Sequence, residues 1–354
     1  MNNQRDKSDS IRRVFIETGS LHLPGSDRGL GRYTSSMVAA YRNCGFQAID
    51  VPDARWRVTS ALSKTHENRE IPYHSTSPRG LPLYKNRRWI CSIQDLIPLD
   101  LSDYSRFGVK SRLHYRNATR SDVIIANSDY TKSRWCSRFG YSKRDVSVLS
   151  LPVAEEFFKP VKHGRDGSGY ICTLVDLRTR DSRKRWHWLE DIANALGDLG
   201  IALHVAGRGL ERLPDVAPRA VAIRTPSDEE LREFYSNSLA FLYTSAYEGQ
   251  GLPPLEAMAT GTPVIAFENT SITEMVGKDQ ILLKDLAPWE DQELSRPIPH
   301  QSLADITCAA ERLRSDQHHW QILSTNARQS AQERFTTQSF ESGLMEIWES
   351  RWRS

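Results

Sequence analysis

The sequence is poor in what a metalloprotein, a disulfide scaffold or a membrane-spanning protein would need. Its five cysteines, Cys44, Cys91, Cys136, Cys172 and Cys308, are scattered, odd in number and in no metal spacing. They read as reduced thiols of a cytoplasmic protein, not as a bridging framework. There is no Asp-x-Asp pair, and His22, His74, His114 and His204 share no spacing that suggests a metal or a catalytic dyad. No metal is therefore expected. No apolar run approaches the roughly 18 residues needed to cross a bilayer, so any membrane contact is expected to be peripheral. Met1–Ser10 is polar and charged, which excludes a signal peptide and predicts a disordered N-terminus over 1–10. The balance of 47 basic against 44 acidic residues leaves a net charge of +3, too little to imply a nucleic-acid partner.

What is present is an ordinary globular composition, 39% apolar and 26% charged, over 354 residues. That length fits two domains, each able to bury a core. Short apolar runs alternate with helical patterns throughout, the signature of an α/β fold with parallel sheets. The first half predicts strands at Val14–Ile16, Gln47–Val51, Trp89–Ile93, Val123–Ala126 and Val146–Leu149, with a helix over about 32–43. Residues 54–88 lack periodicity and read as loops and short elements. A cluster of Pro, Gly and charge over 160–168 marks a linker. Strands at Tyr170–Val175, Ala202–Ala206, Ala240–Tyr243 and Val264–Phe267 follow, with a helix at Trp186–Leu199. Ser227-Asp228-Glu229-Glu230 forms a capping box that opens another helix. Helices over Leu303–Arg314, Trp320–Glu333 and Gln338–Arg353 close the pattern, the last presenting Phe340, Leu344, Ile347, Trp348 and Trp352. The expected domains are 11–163, 164–335 and a terminal helical segment 336–354. Residues 106–144 carry ten Lys/Arg against only Asp122 and Asp129. Such a stripe suits either an anionic surface or a solvated helix face.

The most informative stretch is 244–267. Gly249 and Gly251 permit close backbone approach to a ligand. Pro253 and Pro254 suit the first turn of a helix, where their missing donors have no partner anyway. The helix is expected to run through Leu255–Ala259 and stop at Gly261. Its N-terminus and the loop amides form a ready phosphate site, flanked by Glu248 and Glu256. Carboxylates repel phosphate but accept hydrogen bonds from sugar hydroxyls, so the pattern asks for a ligand with both groups. Two further loops fit such a ligand. Residues 177–185 place five bases and one acid between a strand and a helix, and Gly25–Tyr33 sets a glycine loop before the first helix.

This stretch resembles the Glu-x7-Glu motif of the retaining GT-B glycosyltransferases, a large family that includes many bacterial mannosyltransferases. Gly29-Leu30-Gly31-Arg32-Tyr33 resembles its Gly-Ile-Gly-Arg-Tyr loop, and Gln94-Asp95-Leu96-Ile97-Pro98 its His-Asp-Leu-Ile-Pro segment. The resemblance covers about 14–350. It implies two facing Rossmann-like domains with ligand bound in the cleft between them, and a terminal helix that crosses back to the first. It further implies catalytic Glu248, Arg178 and Lys184. The last two match an Arg and a Lys six residues apart that grip the diphosphate, with Arg180 and Arg183 as alternatives. Donor contacts are implied at Glu256, Gly249, Gln250, Gly251, Leu252, Gly29, Gly31 and Gln94. The implied donor is a nucleotide sugar, GDP-mannose first, and the acceptor a glycan or lipid-linked saccharide in surface polysaccharide assembly. Three departures stand out: Gln94 replaces the His, Gln250 a Phe, and Val175-Asp176 a Gly. The second bears on sugar selectivity, and the first and third leave open a degenerate homologue that binds a sugar nucleotide without turnover.

Overall fold

The computed structural model describes residues 12–22, 29–52, 70–160, 169–179, 181–224 and 227–352. The expected disordered terminus 1–10, the Gly25–Arg28 part of the first glycine loop, nearly all of the linker and Arg180 lie outside the described residues. The described residues divide into two compact units. One draws on Met1–Asn127, Thr131–Leu151 and Phe340–Ser354, the other on Ser128–Tyr130 and Pro152–Ser339.

The first unit is a parallel sheet in the order β2-β1-β3-β4-β5-β6. Its strands are β1 (Arg13–Glu17), β2 (Gln47–Val51), β3 (Tyr73–Ser75), β4 (Trp89–Ile93), β5 (Val123–Ala126) and β6 (Val146–Val148), with helices α1 (Leu30–Asn43), α2 (Ile97–Asp100), α3 (Gly108–Ala118) and α4 (Asp129–Phe139). Five of the strands form where the apolar runs predict them. β3 lies inside the segment read as loops. It pairs with both β1 and β4, and all three of its residues are buried. A three-residue strand is too short to show a period, and one enclosed on both faces shows no alternation.

The second unit holds a parallel sheet in the order β12-β11-β10-β7-β8-β9. It comprises β7 (Ile171–Asp176), α5 (Leu189–Asp198), β8 (Leu203–Arg208), α6 (Leu213–Val216), β9 (Val221–Ile223), α7 (Asp228–Ser236), β10 (Ala240–Tyr243), α8 (Leu252–Ala259), β11 (Val264–Glu268), α9 (Ile272–Val276), β12 (Ile281–Lys284), α10 (His300–Ser315) and α11 (Gln317–Arg334). Alternate side chains of β10 feed opposite cores. Ala240 and Leu242 pack with Ile171, Val205, Ile192 and Ile306, while Phe241 and Tyr243 pack with Leu255, Met258, Val264 and Met275. This is the period-2 consequence of helices covering both faces. The capping box forms as expected: the Ser227 hydroxyl accepts from the Glu230 amide at 3.2 Å, and the Glu230 carboxylate accepts from the Ser227 amide at 3.0 Å. The expected helix from Trp186 begins instead as a 3-10 turn, because Arg185 just before it takes a left-handed φ of 53°.

The last helix, α12 (Thr337–Trp352), belongs to the first unit. Phe340 and Leu344 are buried. The Trp348 ring stands edge-on to Phe46 at 4.6 Å, and Asn43 donates to the Glu341 carboxylate at 2.7 Å. Trp348 of the apolar stripe read from sequence thus packs on Tyr41 of α1 and on Phe46 in the loop after it.

β7 and β10 are parallel neighbours, so the loops that leave their carboxyl ends, 177–185 and 244–251, emerge side by side. One glycine sets the spacing of β7 from β8. Gly207 pairs with Val175 at φ +135°, and a Cβ there would lie 1.9 Å from the Val175 carbonyl oxygen. Gly207→Ala is expected to lower the unfolding free energy of this unit by about 3 kcal/mol. Urea titration of the purified variant checks this, and a loss under about 0.5 kcal/mol would show that the strands separate freely.

Candidate active site

Glu248 is the hub of the two adjoining loops. Its side chain is buried, and one oxygen, Oε1, receives three donors: Arg183 Nη1 at 2.8 Å, Lys184 Nζ at 2.5 Å and Ser245 Oγ at 2.5 Å. Its backbone is fixed as well. The amide donates to Thr270 Oγ1 at 3.1 Å, and the carbonyl accepts from Ser271 Oγ at 3.0 Å. Burial alone would raise the pKa of this carboxyl. Lys184 and Arg183 beside it, with the hydrogen bonds from Lys184 and Ser245, outweigh burial and hold it down at about 2. It is ionised at any physiological pH.

The two cations have further partners. Arg183 donates to the Tyr247 carbonyl at 2.6 Å and pairs with Asp181 at 3.0 Å. Lys184 donates to the Tyr243 hydroxyl at 3.1 Å; burial pulls its pKa below the ordinary lysine value, with Glu248 opposing. Two cations and two carboxylates therefore offset one another.

Beneath them Arg185 anchors the basic loop. It is buried, grips Asp285 at 2.8 and 2.9 Å, donates to the carbonyls of Ala287 (2.5 Å) and Thr244 (3.2 Å), and lies 4.4 Å over the Trp188 ring. Asn269 joins the same knot, donating to Asp285 at 2.7 Å and to the Ser245 carbonyl at 3.1 Å. Four hydrogen bonds to three residues satisfy a guanidinium that would otherwise be costly to bury.

The glycine loop closes on α8. Gly251 holds φ 84° at the helix start, with Pro253 and Pro254 in the first turn. The helix begins at Leu252, with both prolines in the first turn as their missing amides suggest. A Cβ on Gly251 would meet Ile272 Cδ1 at 2.5 Å. Gly249 and Gln250 are buried, and Leu252 is half-buried. Glu256 is buried within α8, where its carboxylate accepts from the Tyr235 hydroxyl at 3.3 Å.

Of the residues expected from sequence, the structure brings Lys184 to Glu248 and leaves Arg178 apart. Arg178 is 50% exposed and pairs with Asp176 two residues earlier, at 2.9 Å. Arg183, named only as an alternative, fills the second cationic position. In the first unit, Gly29 stands at φ 54° before α1 and Gly31 is buried in its first turn. Gln94 follows β4, donates to the Thr76 carbonyl at 3.3 Å and accepts from Asn127 at 3.4 Å. Asp95 holds its loop by accepting the Ile97 amide at 2.9 Å. Sequence reading missed Ser245, Asn269, Thr270, Ser271 and Asp285. Only Ser245 and the 269–271 cluster stood near the motif, and Asp285 had no local signal at all.

Comparison with known proteins bears on the family and the fold. Residues 171–293 match the family model described as glycosyl transferases group 1. Over 243 residues the chain is 30% identical to the MMP alpha-(1->4)-mannosyltransferase of Mycolicibacterium hassiacum, covering 66% of this chain and 55% of that protein. It is 31% identical over 263 residues to the serotype-specific mannosyltransferase WbdA of Escherichia coli, covering 67% of this chain and 30% of that one. The matched region thus spans about half or less of these relatives. Among solved structures, the sucrose-phosphate synthase of Thermosynechococcus elongatus superposes with a TM-score of 0.70 at 16% identity, covering 96% of this chain and 98% of that one. HepE of Anabaena, solved with UDP-glucose, superposes with a TM-score of 0.68 at 14% identity, covering 96% and 99%. Those two likenesses show the fold, GT-B.

The site predicts an acid limit. A carboxyl lowered from 4.5 to about 2 adds stability that is fully present above pH 4.5 and is lost as pH falls through about 2. The contribution is at most about 3 kcal/mol. Glu248→Gln is expected to flatten the stability–pH curve over that window, measured by urea unfolding at a series of pH values. An unchanged curve would show that the ion cluster is not formed in solution. Arg185→Met is expected to cost about 3–5 kcal/mol by leaving Asp285 buried without its cation, and wild-type stability of that variant would contradict the anchoring role.

Proposed function

We propose, since this chain is a member of the group 1 glycosyltransferases, that it moves a hexose from a nucleoside-diphosphate sugar to a glycan or lipid-linked saccharide with retention of anomeric configuration. The observation that carries the reading is the shared Glu248 oxygen. A buried carboxylate bound to two cations, one of them also paired with Asp181, at the carboxyl edge of a parallel sheet is a site whose charges already balance. A diphosphate entering it competes with Glu248 for Lys184 and Arg183. As those cations turn to the leaving group, the carboxylate is released to accept hydroxyls of the sugar. Binding of the diphosphate half thereby prepares binding of the sugar half.

In this reading Lys184 and Arg183 neutralise charge that grows on the departing diphosphate, so no metal is assigned that role. Arg178 becomes available only by leaving Asp176. Gly249–Leu252 and the start of α8 approach the phosphates and sugar, and Glu256 accepts from ribose hydroxyls. Gly29, Gly31 and Gln94 are assigned donor contacts from the first unit. As the anomeric carbon–phosphate oxygen bond breaks, the acceptor oxygen bonds to that carbon on the same face. The departing phosphate oxygen takes the acceptor proton, and Glu248 forms no covalent bond. Mannose is the first choice of sugar, supported by the names of the relatives, and GDP-mannose the first donor to try. Surface polysaccharide assembly is the setting proposed, with peripheral contact to an anionic membrane.

Isothermal titration and a product assay test this together. Glu248→Ala is expected to lower turnover by about 100-fold or more, and near-normal turnover would remove Glu248 from the mechanism. Lys184→Ala is expected to weaken binding of the bare nucleoside diphosphate by about tenfold or more. Glu248→Gln is expected to do the reverse, since Lys184 loses its competitor, while the preference for sugar nucleotide over bare diphosphate disappears. A protein that binds sugar nucleotides yet releases no diphosphate with any acceptor would instead be the non-catalytic homologue, a reading favoured by Gln94, whose amide is engaged at both ends.

A further inference from the structure

The described residues expose six large hydrophobic side chains, and four of them fall in one place. Val109 is 74% and Leu113 62% exposed; they stand four residues apart on α3 and so share one face. The helix is anchored by the opposite stripe, Ser111, Tyr115 and Ala118. Leu83 and Tyr84, 66% and 75% exposed, sit at its carboxyl end. There Asn117 donates to the Pro82 carbonyl at 2.9 Å, Arg120 to the Leu83 carbonyl at 2.9 Å, and Lys85 to the Arg120 carbonyl at 2.7 Å. Beside this face lies a hollow of about 400 Å³ lined by Leu99, Arg112, Arg116, Thr119, Arg138 and Phe139. Three arginines converge there, and nearby carboxylates are already spoken for: Asp100 pairs with Arg134 at 2.7 Å and Asp122 with Lys85 at 2.8 Å.

We propose that this face of the first unit docks the protein on an anionic lipid bilayer, with Val109, Leu113, Leu83 and Tyr84 entering the interface and Arg112, Arg116 and Arg138 receiving lipid phosphates. A few apolar side chains set among arginines that have no ion-pair partner among the described residues match an interfacial segment, which wants hydrocarbon below and anionic headgroups around it. The core of a protein–protein interface is by contrast depleted of charge. No helix among the described residues is long and apolar enough to cross a membrane, so the contact is lateral. The inference rests on the membrane contact proposed above and names the surface that makes it.

Flotation of the full chain with vesicles, without donor or acceptor, tests the docking apart from catalysis. Wild type is expected to float with phosphatidylcholine vesicles containing phosphatidylglycerol and not with phosphatidylcholine alone. Arg112→Glu/Arg116→Glu/Arg138→Glu is expected to reduce flotation by roughly fivefold per cation removed. Val109→Ser/Leu113→Ser is expected to reduce it by about tenfold, most visibly at high salt. Ile322→Ser, an exposed apolar residue of the second unit, should change nothing. If the charge variant fails to fold, a Leu113→Cys chain in a Cys308→Ser background, labelled with an environment-sensitive dye, decides the matter by a blue shift on mixing with the anionic vesicles. Flotation unchanged in the variants, or no blue shift, would overturn the proposal. So would release by inorganic phosphate, which marks a soluble-anion site, or a dimer lost in Val109→Ser/Leu113→Ser, which marks a protein interface. Transfer to a water-soluble acceptor is scored separately, so a non-docking protein that still transfers leaves the enzymatic reading intact.

Discussion

One carboxylate oxygen holds this site together. Glu248 Oε1 is reached by a lysine and an arginine more than sixty residues earlier and by a serine three residues earlier. Everything local depends on that convergence. It sets the 177–185 loop against the 244–251 loop, keeps the carboxyl ionised despite burial, and balances charge at a place where unbalanced charge would be expensive. The knot beneath it, Arg185 with Asp285 and Asn269, makes the arrangement stiff. Arg185 takes a left-handed backbone conformation, and its side chain turns to Asp285 while the two residues before it, Arg183 and Lys184, face Glu248.

Much of this was legible in the sequence, for reasons particular to each element. The Pro253-Pro254 pair and Gly251 fix a strand–loop–helix geometry whatever surrounds them, so Glu248 and Glu256 could be placed from local rules alone. The basic loop could be placed because it follows an apolar strand. Which of its cations would meet Glu248 could not be read, since Arg178 and Arg183 differ only in their nearest carboxylates, Asp176 and Asp181. Resemblance favoured Arg178; the structure ties it to Asp176 and sends Arg183 inward. Asp285 lies a hundred residues from Arg185, and no periodicity announces a partner at that range. The edge strands β9 and β12 and the central β3 were missed because three or four residues carry too little pattern to stand out.

The first unit shows why chemistry-bearing residue types mislead when taken singly. His74 lies in β3, one of the two central strands of the sheet, fully enclosed. It bonds to the hydroxyls of Ser92 at 2.8 Å and Tyr41 at 3.0 Å, and Ser92 in turn accepts from Tyr33 at 2.6 Å. Burial drives its pKa to about 3, so it is neutral and holds strands to α1. A parallel chain links Ser20, Thr34, Thr76 and the buried Glu17. Satisfied polar networks of this kind specify a single packing more than they supply reactivity.

The placement of α12 has a consequence for how the molecule comes into being. Chain order carries the polypeptide out of the first unit at Leu151, through the whole second unit, and back at Phe340. A ribosome therefore delivers every residue of the second unit before it delivers Trp348, whose ring stands edge-on to Phe46 and Tyr41. The second unit can reach its native state as a contiguous stretch of nascent chain, while the earlier-made first unit waits with an apolar face open. Units normally mature in the order of synthesis; here the order is inverted, and the interval between Leu151 and Phe340 is one in which a chaperone would find its binding surface.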